Sequence, residues 1–181
     1  VRLQAMPGGR LCGAVVWRKA GESFLGDDAR SSSTAWGSWR SPSAPSLRDV
    51  HEDLIPWRKD GGPLTPHVSG ALPDISKEHF IQAISSVWSI QTVSGEPGER
   101  WHTAAFPVEL AVRAIRLWTF QGDVVLDPFG GSGTVGVAAK GLGRHYILCE
   151  IDYDFAARSR NRIECANVQE DLLGGTPKVN G

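Results

Sequence analysis

Hydrophobic and polar residues alternate in short runs along the chain, and these runs predict an α/β fold. Apolar runs at residues 11–17 and 53–57 are typical of strands, as are residues 123–126 and 144–149. The alanine-rich run 135–140 lies between the last two and favours a helix. A strand, a helix and a second strand in this order predict a βαβ unit with parallel strands.

Residues 76–88 have the residue spacing of a helix, and Ser76 is a suitable N-cap for it. Phe80, Ile84 and Val87 fall on one side of this predicted helix. An apolar stripe of this kind normally packs against the core, so we expect the three side chains to be buried.

Two more helices are predicted after this point. Residues 108–118 follow Pro107, and proline is favoured in the first turn of a helix. Residues 153–166 form the last predicted helix. The residues of this helix expected to face the sheet are Phe155, Ala156 and Ile163. The arginines interpreted as its solvated face are Arg158, Arg160 and Arg162.

Composition narrows the class of protein. The 181 residues suit one domain, and a formal net charge of −1 leaves no overall basic field, so any contact with nucleic acid has to come from a local patch. Three cysteines without a C-x-x-C pair favour a reducing compartment over a disulfide framework or a zinc site. No apolar run is long enough to span a membrane.

The segment 127–134, with the sequence DPFGGSGT, follows a predicted strand and precedes a predicted helix. Its glycines allow a sharp turn and a close approach of the backbone to a ligand, and the helix offers free N–H groups near Thr134. Glu150 ends the second strand, about twenty residues further on, where a carboxylate accepts hydrogen bonds from ribose hydroxyls. The unit is therefore predicted to bind a cofactor that contains a nucleoside.

The identity of this cofactor depends on Asp127. Residues 131–136 match the dinucleotide pattern G-x-G-x-x-G, so NAD or FAD is an alternative. A carboxylate directly before the turn would repel a pyrophosphate, whereas it would attract the sulfonium and ammonium groups of S-adenosylmethionine. The sequence therefore favours S-adenosylmethionine.

These residues, together with residues 102–110 (HTAAFPVEL), resemble the bacterial DNA amino-methyltransferases, which methylate N4 of cytosine or N6 of adenine. The order of the two segments resembles the permuted β class, and the resemblance extends over residues 12–162. It implies a Rossmann-like S-adenosylmethionine-dependent methyltransferase fold and a restriction-modification type of function in a bacterial or phage context, in the cytoplasm. Thr103 departs from the family, which usually has proline there.

The resemblance assigns roles to particular residues. Phe106 and Pro107 would close over the methionine end of the cofactor, and residues 101–166 would form the cofactor-binding part. His102 is better interpreted as a structural residue than as a base or metal ligand, because no ligand cluster accompanies it. The remaining residues predicted to hold the cofactor are Asp127, Pro128, Phe129, Gly131, Ser132, Gly133, Thr134 and Glu150.

The resemblance also implies contacts with double-stranded DNA. Residues 20–52 would border the target base, and residues 61–100 would form a short recognition region. Enzymes that act on a base flip it out and hold it by stacking, which suits tryptophan, while arginines hold phosphates. Alternatively, the tryptophans fill the core and the arginines form ion pairs. The residues predicted to contact DNA are Ser33, Thr34, Trp36, Trp39, Arg40 and Arg48.

The family transfers the methyl group with a tetrapeptide, Asp/Asn/Ser-Pro-Pro-Tyr/Phe, which does not occur in this chain. In permuted members it lies upstream, before the position of Val1. We therefore expect a single partial domain over residues 1–181, with a sheet incomplete on its N-terminal side and no catalytic residue of its own. An upstream fragment or a second copy is an expected partner. The alternatives are a nicotinamide-dependent oxidoreductase and a binding module without catalysis.

Overall fold

The computed structural model describes residues 8–19, 41–44, 51–66, 73–92 and 106–166. The described residues fall into two compact units. The first contains those up to Gly61 together with residues 86–92, and the second contains the others.

The first unit consists of two small sheets. A three-stranded sheet has the order β3-β2-β5, in which β2 is antiparallel to β3 and parallel to β5. The other sheet pairs β1 with β4 in antiparallel fashion. The five strands are β1 (Gly9–Leu11), β2 (Val15–Arg18), β3 (His51–Leu54), β4 (Trp57–Lys59) and β5 (Val87–Ser89).

Two tryptophans form the centre of the three-stranded sheet. Trp17 in β2 lies opposite Trp88 in β5, and the two residues are 3% and 0% exposed. The indole N–H of Trp17 donates a 2.8 Å hydrogen bond to the carbonyl of Ile90, so its polar atom is satisfied within the core.

The predicted strands at 11–17 and 53–57 are each divided in two. Gly13 has φ +113°, a conformation that interrupts the first strand, and Pro56, which lacks an N–H group, interrupts the second. The two breaks face each other, because the N–H of Cys12 donates to the carbonyl of Pro56 at 2.9 Å. Both predicted strands therefore pass from one sheet to the other at the point where Cys12 and Pro56 meet.

The predicted helix at 76–88 is wrong in its second half. Helix α1 (Lys77–Ala83) ends early, and Val87 begins a strand instead. The predicted apolar stripe is not buried, since Phe80, Ile84 and Val87 are 44%, 58% and 50% exposed. Pairing with β2 overrides the local helical spacing because it buries Trp88 completely.

The predicted N-cap of α1 is confirmed. The hydroxyl of Ser76 accepts a hydrogen bond from the backbone N–H of His79 at 3.2 Å. The Nδ1 atom of His79 lies 2.9 Å from the same hydroxyl, so the histidine side chain turns back towards the cap, where it meets the side chain of Ser76 and not its backbone N–H as Glu does in a capping box.

The second unit contains the predicted βαβ arrangement. Strands β6 (Val124–Asp127) and β7 (His145–Leu148) are parallel, and α3 (Thr134–Gly141) connects them. Helix α2 (Val108–Trp118) has the predicted bounds, and α4 (Tyr153–Cys165) follows β7. The core between α2 and α3 consists of Ala111, Val112, Ile115, Ala138, Ala139 and Leu142.

The guanidinium group of Arg144 is completely buried and uses all five of its N–H groups. It forms two hydrogen bonds with the carboxylate of Asp74, at 2.5 and 2.8 Å. The other three go to the hydroxyl and carbonyl of Thr119 and to the carbonyl of Leu142. This cation therefore ties the residues before α1 to the segments that flank β6 and β7.

Asp74 is charged under ordinary conditions. Burial by itself raises the pKa of its carboxyl group, but the hydrogen bonds and the positive charge of Arg144 outweigh burial, so the pKa lies below its ordinary value.

None of the helices in the described ranges is long and apolar enough to cross a membrane.

We predict that Asp74→Asn lowers the free energy of unfolding by about 2–3 kcal/mol at pH 7, because it leaves a buried cation without its counter-ion. Urea unfolding of the two proteins would measure this difference. Asp154→Asn is the control, because Asp154 is exposed in the same unit, and its effect should be within about 0.5 kcal/mol.

The effect of Asp74→Asn should also depend on pH. The folded pKa of Asp74 lies below the unfolded value, so its contribution is complete above the unfolded pKa and is lost as the pH falls through the folded pKa. The difference between wild type and Asp74→Asn should therefore shrink below about pH 4. A difference that stays constant from pH 7 to pH 3 would contradict the ion pair.

Candidate cofactor site at the glycine turn

Backbone hydrogen bonds close the turn that follows β6. The side chain of Asp127 accepts a hydrogen bond from the N–H of Phe129 at 3.0 Å. The N–H of Gly130 donates to the carbonyl of Cys149 at 2.7 Å, and the N–H of Gly133 donates to the carbonyl of Gly130 at 2.8 Å. The turn is thus fixed to the carboxyl end of β7, next to the start of α3.

Two glycines of the turn have left-handed backbone conformations, with φ +47° at Gly131 and φ +78° at Gly133. A Cβ atom at Gly133 would lie 2.9 Å from Cβ of Ser159, and one at Gly136 would lie 2.4 Å from Cδ1 of Ile163. The second and third glycines of the G-x-G-x-x-G pattern therefore allow the turn and α3 to lie directly against α4.

The carboxylate of Glu150 bridges the turn and the start of α4. One of its oxygens accepts from the N–H of Gly131 at 2.8 Å, and the other accepts from the N–H of Asp152 at 3.0 Å. The hydrogen bond from Asp152, followed by that from Gly131, lowers the pKa of Glu150. Each oxygen keeps a free lone pair, so the fixed carboxylate can accept further hydrogen bonds from a ligand.

Arg162 holds the other end of the turn, which corrects its predicted place on a solvated face. Its Nη1 atom lies 2.9 Å from the carbonyl oxygen of Ser132, 3.1 Å from the hydroxyl of Ser132 and 3.2 Å from the hydroxyl of Thr134. Burial lowers the pKa of Arg162. Arg158 and Arg160 are exposed, as predicted.

Exposed large apolar residues lie close in sequence to Asp127 and Glu150. Phe129 is 86% exposed, and Ile151 and Tyr153, which flank the start of α4, are 102% and 84% exposed. Sequence reasoning missed Ile151 and Tyr153. The signal for Ile151 was an apolar residue directly after the acidic residue that follows a strand, in a position that does not fit a core.

Phe106 and Pro107 stand at the start of α2. Pro107 is buried at the N-cap position, and Phe106 packs against the core between α2 and α3. Pro128 is exposed in the turn, whereas Thr134 is buried with its hydroxyl beside Arg162, so Thr134 can offer only its backbone to a ligand.

Several predicted residues lie outside the described ranges, and their roles stay predictions. The predicted residues outside these ranges are Ser33, Thr34, Trp36, Trp39, Arg40, Arg48 and His102.

Within the described ranges, no group of three or more His, Cys, Asp and Glu residues is arranged to hold a metal ion.

We predict that Gly133→Ala lowers the free energy of unfolding by about 2–4 kcal/mol, because the new methyl group is strained by the backbone conformation and collides with α4. Gly143→Ala is a matched control. Gly143 has a similar φ of +69°, but a Cβ atom there would meet nothing within 4 Å, so we expect a loss of about 1 kcal/mol. Equal losses in urea unfolding would contradict the close packing of the turn.

Comparison with known proteins places this site in a family. The model of the DNA methylase family of N6 and N4 methyltransferases matches residues 14–160. The Type II methyltransferase M2.DpnII of Streptococcus pneumoniae is 42% identical over 72 residues, which are 38% of this chain and 27% of that protein. M.MthZI, a Type II methyltransferase of Methanothermobacter thermautotrophicus, is 45% identical over 64 residues, or 35% of this chain and 18% of that protein.

Solved structures show the same fold. A protein of Thermus thermophilus, described as a DNA modification methylase and complexed with S-adenosyl-L-methionine, matches with a TM-score of 0.62 and 27% identity over 86% of this chain and 54% of its own. The cytosine-N4-specific PvuII DNA methyltransferase has a TM-score of 0.56 and 20% identity, over 88% of this chain and 53% of its own. The chain thus spans about half the length of these structures and has their α/β methyltransferase fold. Because the family model matches most of the sequence, the chain belongs to the DNA methylase family of N6 and N4 methyltransferases.

Proposed function

We propose that the glycine turn binds S-adenosylmethionine and that the chain serves in methyl transfer to an exocyclic amine of DNA, N4 of cytosine or N6 of adenine. The observation that carries the proposal is the position of Glu150. Its carboxylate is held beside the glycine turn by two backbone N–H groups and keeps lone pairs free on both oxygens. Two such acceptors suit the two adjacent hydroxyls of a ribose.

The exposed apolar residues around Glu150 fit the adenine ring of the same cofactor. Ile151 follows Glu150 directly and is completely exposed, and Phe129 is nearly so. A flat ring packed against them would remove apolar surface from water, at roughly 25 cal/mol per Å². We therefore add Ile151 to the proposed cofactor contacts.

Asp127 favours S-adenosylmethionine over a dinucleotide. Its carboxylate lies at the end of β6, and that of Glu150 is bonded to Gly131 in the same turn. Two carboxylates at one turn oppose a pyrophosphate and attract a ligand with a sulfonium and an ammonium group. Phe106 and Pro107 are proposed to close over the methionine end.

The DNA-binding part is proposed from the resemblance and from family membership. Residues 20–52 would border the target base, residues 61–100 would read the sequence, and residues 101–166 would hold the cofactor. Contacts with double-stranded DNA would come from Ser33, Thr34, Trp36, Trp39, Arg40 and Arg48. The setting proposed for this activity is a restriction-modification system acting in the cytoplasm.

Methyl transfer also requires that the acceptor amine be held in line with the sulfonium methyl. In the family, the proline-containing tetrapeptide does this, and the 181 residues do not contain it. We therefore propose that a segment outside these 181 residues supplies the acceptor side and that these residues supply the donor side.

Glu150→Ala should weaken binding of S-adenosylhomocysteine, the form of the cofactor left after methyl transfer, on the order of tenfold to a hundredfold, because it removes charged acceptors of the ribose. Isothermal titration calorimetry would measure the affinity, with Glu164→Ala as the control, since Glu164 is exposed on the last turn of α4. Glu150→Gln should also weaken binding, because its amide N–H₂ would face a backbone N–H.

Two results would contradict this assignment. A folded Glu150→Ala protein with wild-type affinity would exclude the ribose role of Glu150. Wild-type protein that binds NADH but not S-adenosylhomocysteine would instead favour the nicotinamide-dependent alternative.

The chain alone should transfer no methyl group to DNA, even where it binds cofactor. Misplacement of the acceptor by about an ångström costs on the order of a hundredfold in rate, and the 181 residues do not contain the tetrapeptide that fixes the amine in the family. The test is incorporation of radiolabelled methyl groups into mixed genomic DNA, with and without an added fragment that carries the tetrapeptide and its strand. Robust incorporation by the 181 residues alone would show that the acceptor site lies within them.

A further inference from the structure

We infer that Arg162 is a positioning residue for the cofactor turn, a role that rests on the proposed function. Three acceptors of the turn converge on its Nη1 atom: the carbonyl and hydroxyl of Ser132 and the hydroxyl of Thr134, at 2.9, 3.1 and 3.2 Å. The two hydroxyls are also 3.1 Å apart, within hydrogen-bond distance of each other. Arg162 thus fixes the backbone and side chain of Ser132, before α3, and the side chain of Thr134, its first residue.

A positive charge at this position is electrostatically unfavourable, so we infer that Arg162 does more there than fill space. The N-terminus of a helix carries a partial positive charge, so a cation there is repelled by α3. Within the described residues, Arg162 forms no ion pair with a carboxylate. The hydrogen bonds to Ser132 and Thr134 are therefore what offsets the half-buried charge.

The turn is held from two sides by the segment that follows β7. Glu150, just before α4, binds the N–H of Gly131, and Arg162, in the last turn of α4, binds Ser132 and Thr134. The N-cap of α3 is Gly133, which has no side chain to cap the helix. Arg162, which can only donate, does not cap the free N–H groups of α3 and instead orders Ser132 and Thr134 on either side of Gly133.

This arrangement predicts how Arg162 affects the cofactor. Glu150 is proposed to touch the ribose, whereas Arg162 acts through the turn and has no proposed contact with the ligand. Without Arg162, the turn would have to be ordered when the cofactor binds, and that entropy would reduce affinity.

The geometry also distinguishes lysine from an apolar replacement. Nη1 of arginine has two N–H groups for three acceptors, whereas a lysine ammonium has three. Because the contacts come from one nitrogen rather than from both arms of the guanidinium fork, Arg162→Lys should restore what Arg162→Met removes.

The test compares Arg162→Met and Arg162→Lys with Arg160→Met, a control at an exposed arginine of the same helix. Calorimetry with S-adenosylhomocysteine should show a roughly tenfold loss of affinity in Arg162→Met and wild-type affinity, within about threefold, in the other two. Amide hydrogen exchange without ligand should be faster at residues 131–134 in Arg162→Met only. This second readout does not depend on which cofactor binds.

Unchanged affinity and unchanged exchange in a folded Arg162→Met protein would overturn the inference. If wild type fails to bind S-adenosylhomocysteine, the proposed cofactor is wrong, and the exchange measurement alone decides the role of Arg162. If Arg162→Met does not fold, Arg162→Gln takes its place: weaker binding and faster exchange at residues 131–134 support the inference, and wild-type affinity and exchange overturn it.

Discussion

The contact between the glycine turn and helix α4 is the constraint on which the proposed site depends. Gly133 and Gly136 lack the Cβ atoms that would collide with Ser159 and Ile163, so α4 can lie directly against the turn. Only at this short distance can Glu150, just before α4, and Arg162, in its last turn, reach the turn backbone. Glu150 then fixes Gly131 from one side, and Arg162 fixes Ser132 from the other. The backbone of the turn is therefore set before a ligand arrives, which reduces the entropy that binding has to overcome.

Stability and ligand binding use different charged residues in this unit. Arg144 and Asp74 form a buried ion pair in which every N–H of the guanidinium is used, so this pair has no donor left for a ligand. Glu150, in contrast, is accessible and keeps free lone pairs. Substitution at the first pair should change folding without changing the chemistry of the turn. Substitution at Glu150 should remove an acceptor for the ligand together with the hydrogen bonds that hold the turn.

The βαβ unit could be predicted from the sequence because short-range patterns determine it. The glycine turn, the apolar strands and the proline before α2 each act within a few residues, and α2 has the bounds that the sequence predicted. The end of α1 could not be predicted, because Trp88 belongs to a strand that pairs with a distant part of the chain. Three arginines of α4 looked alike in sequence. Of these, Arg162 contacts the turn because it lies next to Ser159 and Ile163 on the face of α4 that packs against Gly133 and Gly136.

Family membership supports the proposed class of reaction, and the geometry of the turn supports the proposed place of the cofactor. The most direct test is a nuclear magnetic resonance titration of isotope-labelled protein with S-adenosylhomocysteine, which reports each backbone amide separately. The account predicts saturable shifts at the amides of Gly131, Gly133 and Ile151, with Arg144 unaffected. Shifts that are absent from the turn, or that NADH reproduces at the same positions and concentrations, would contradict it.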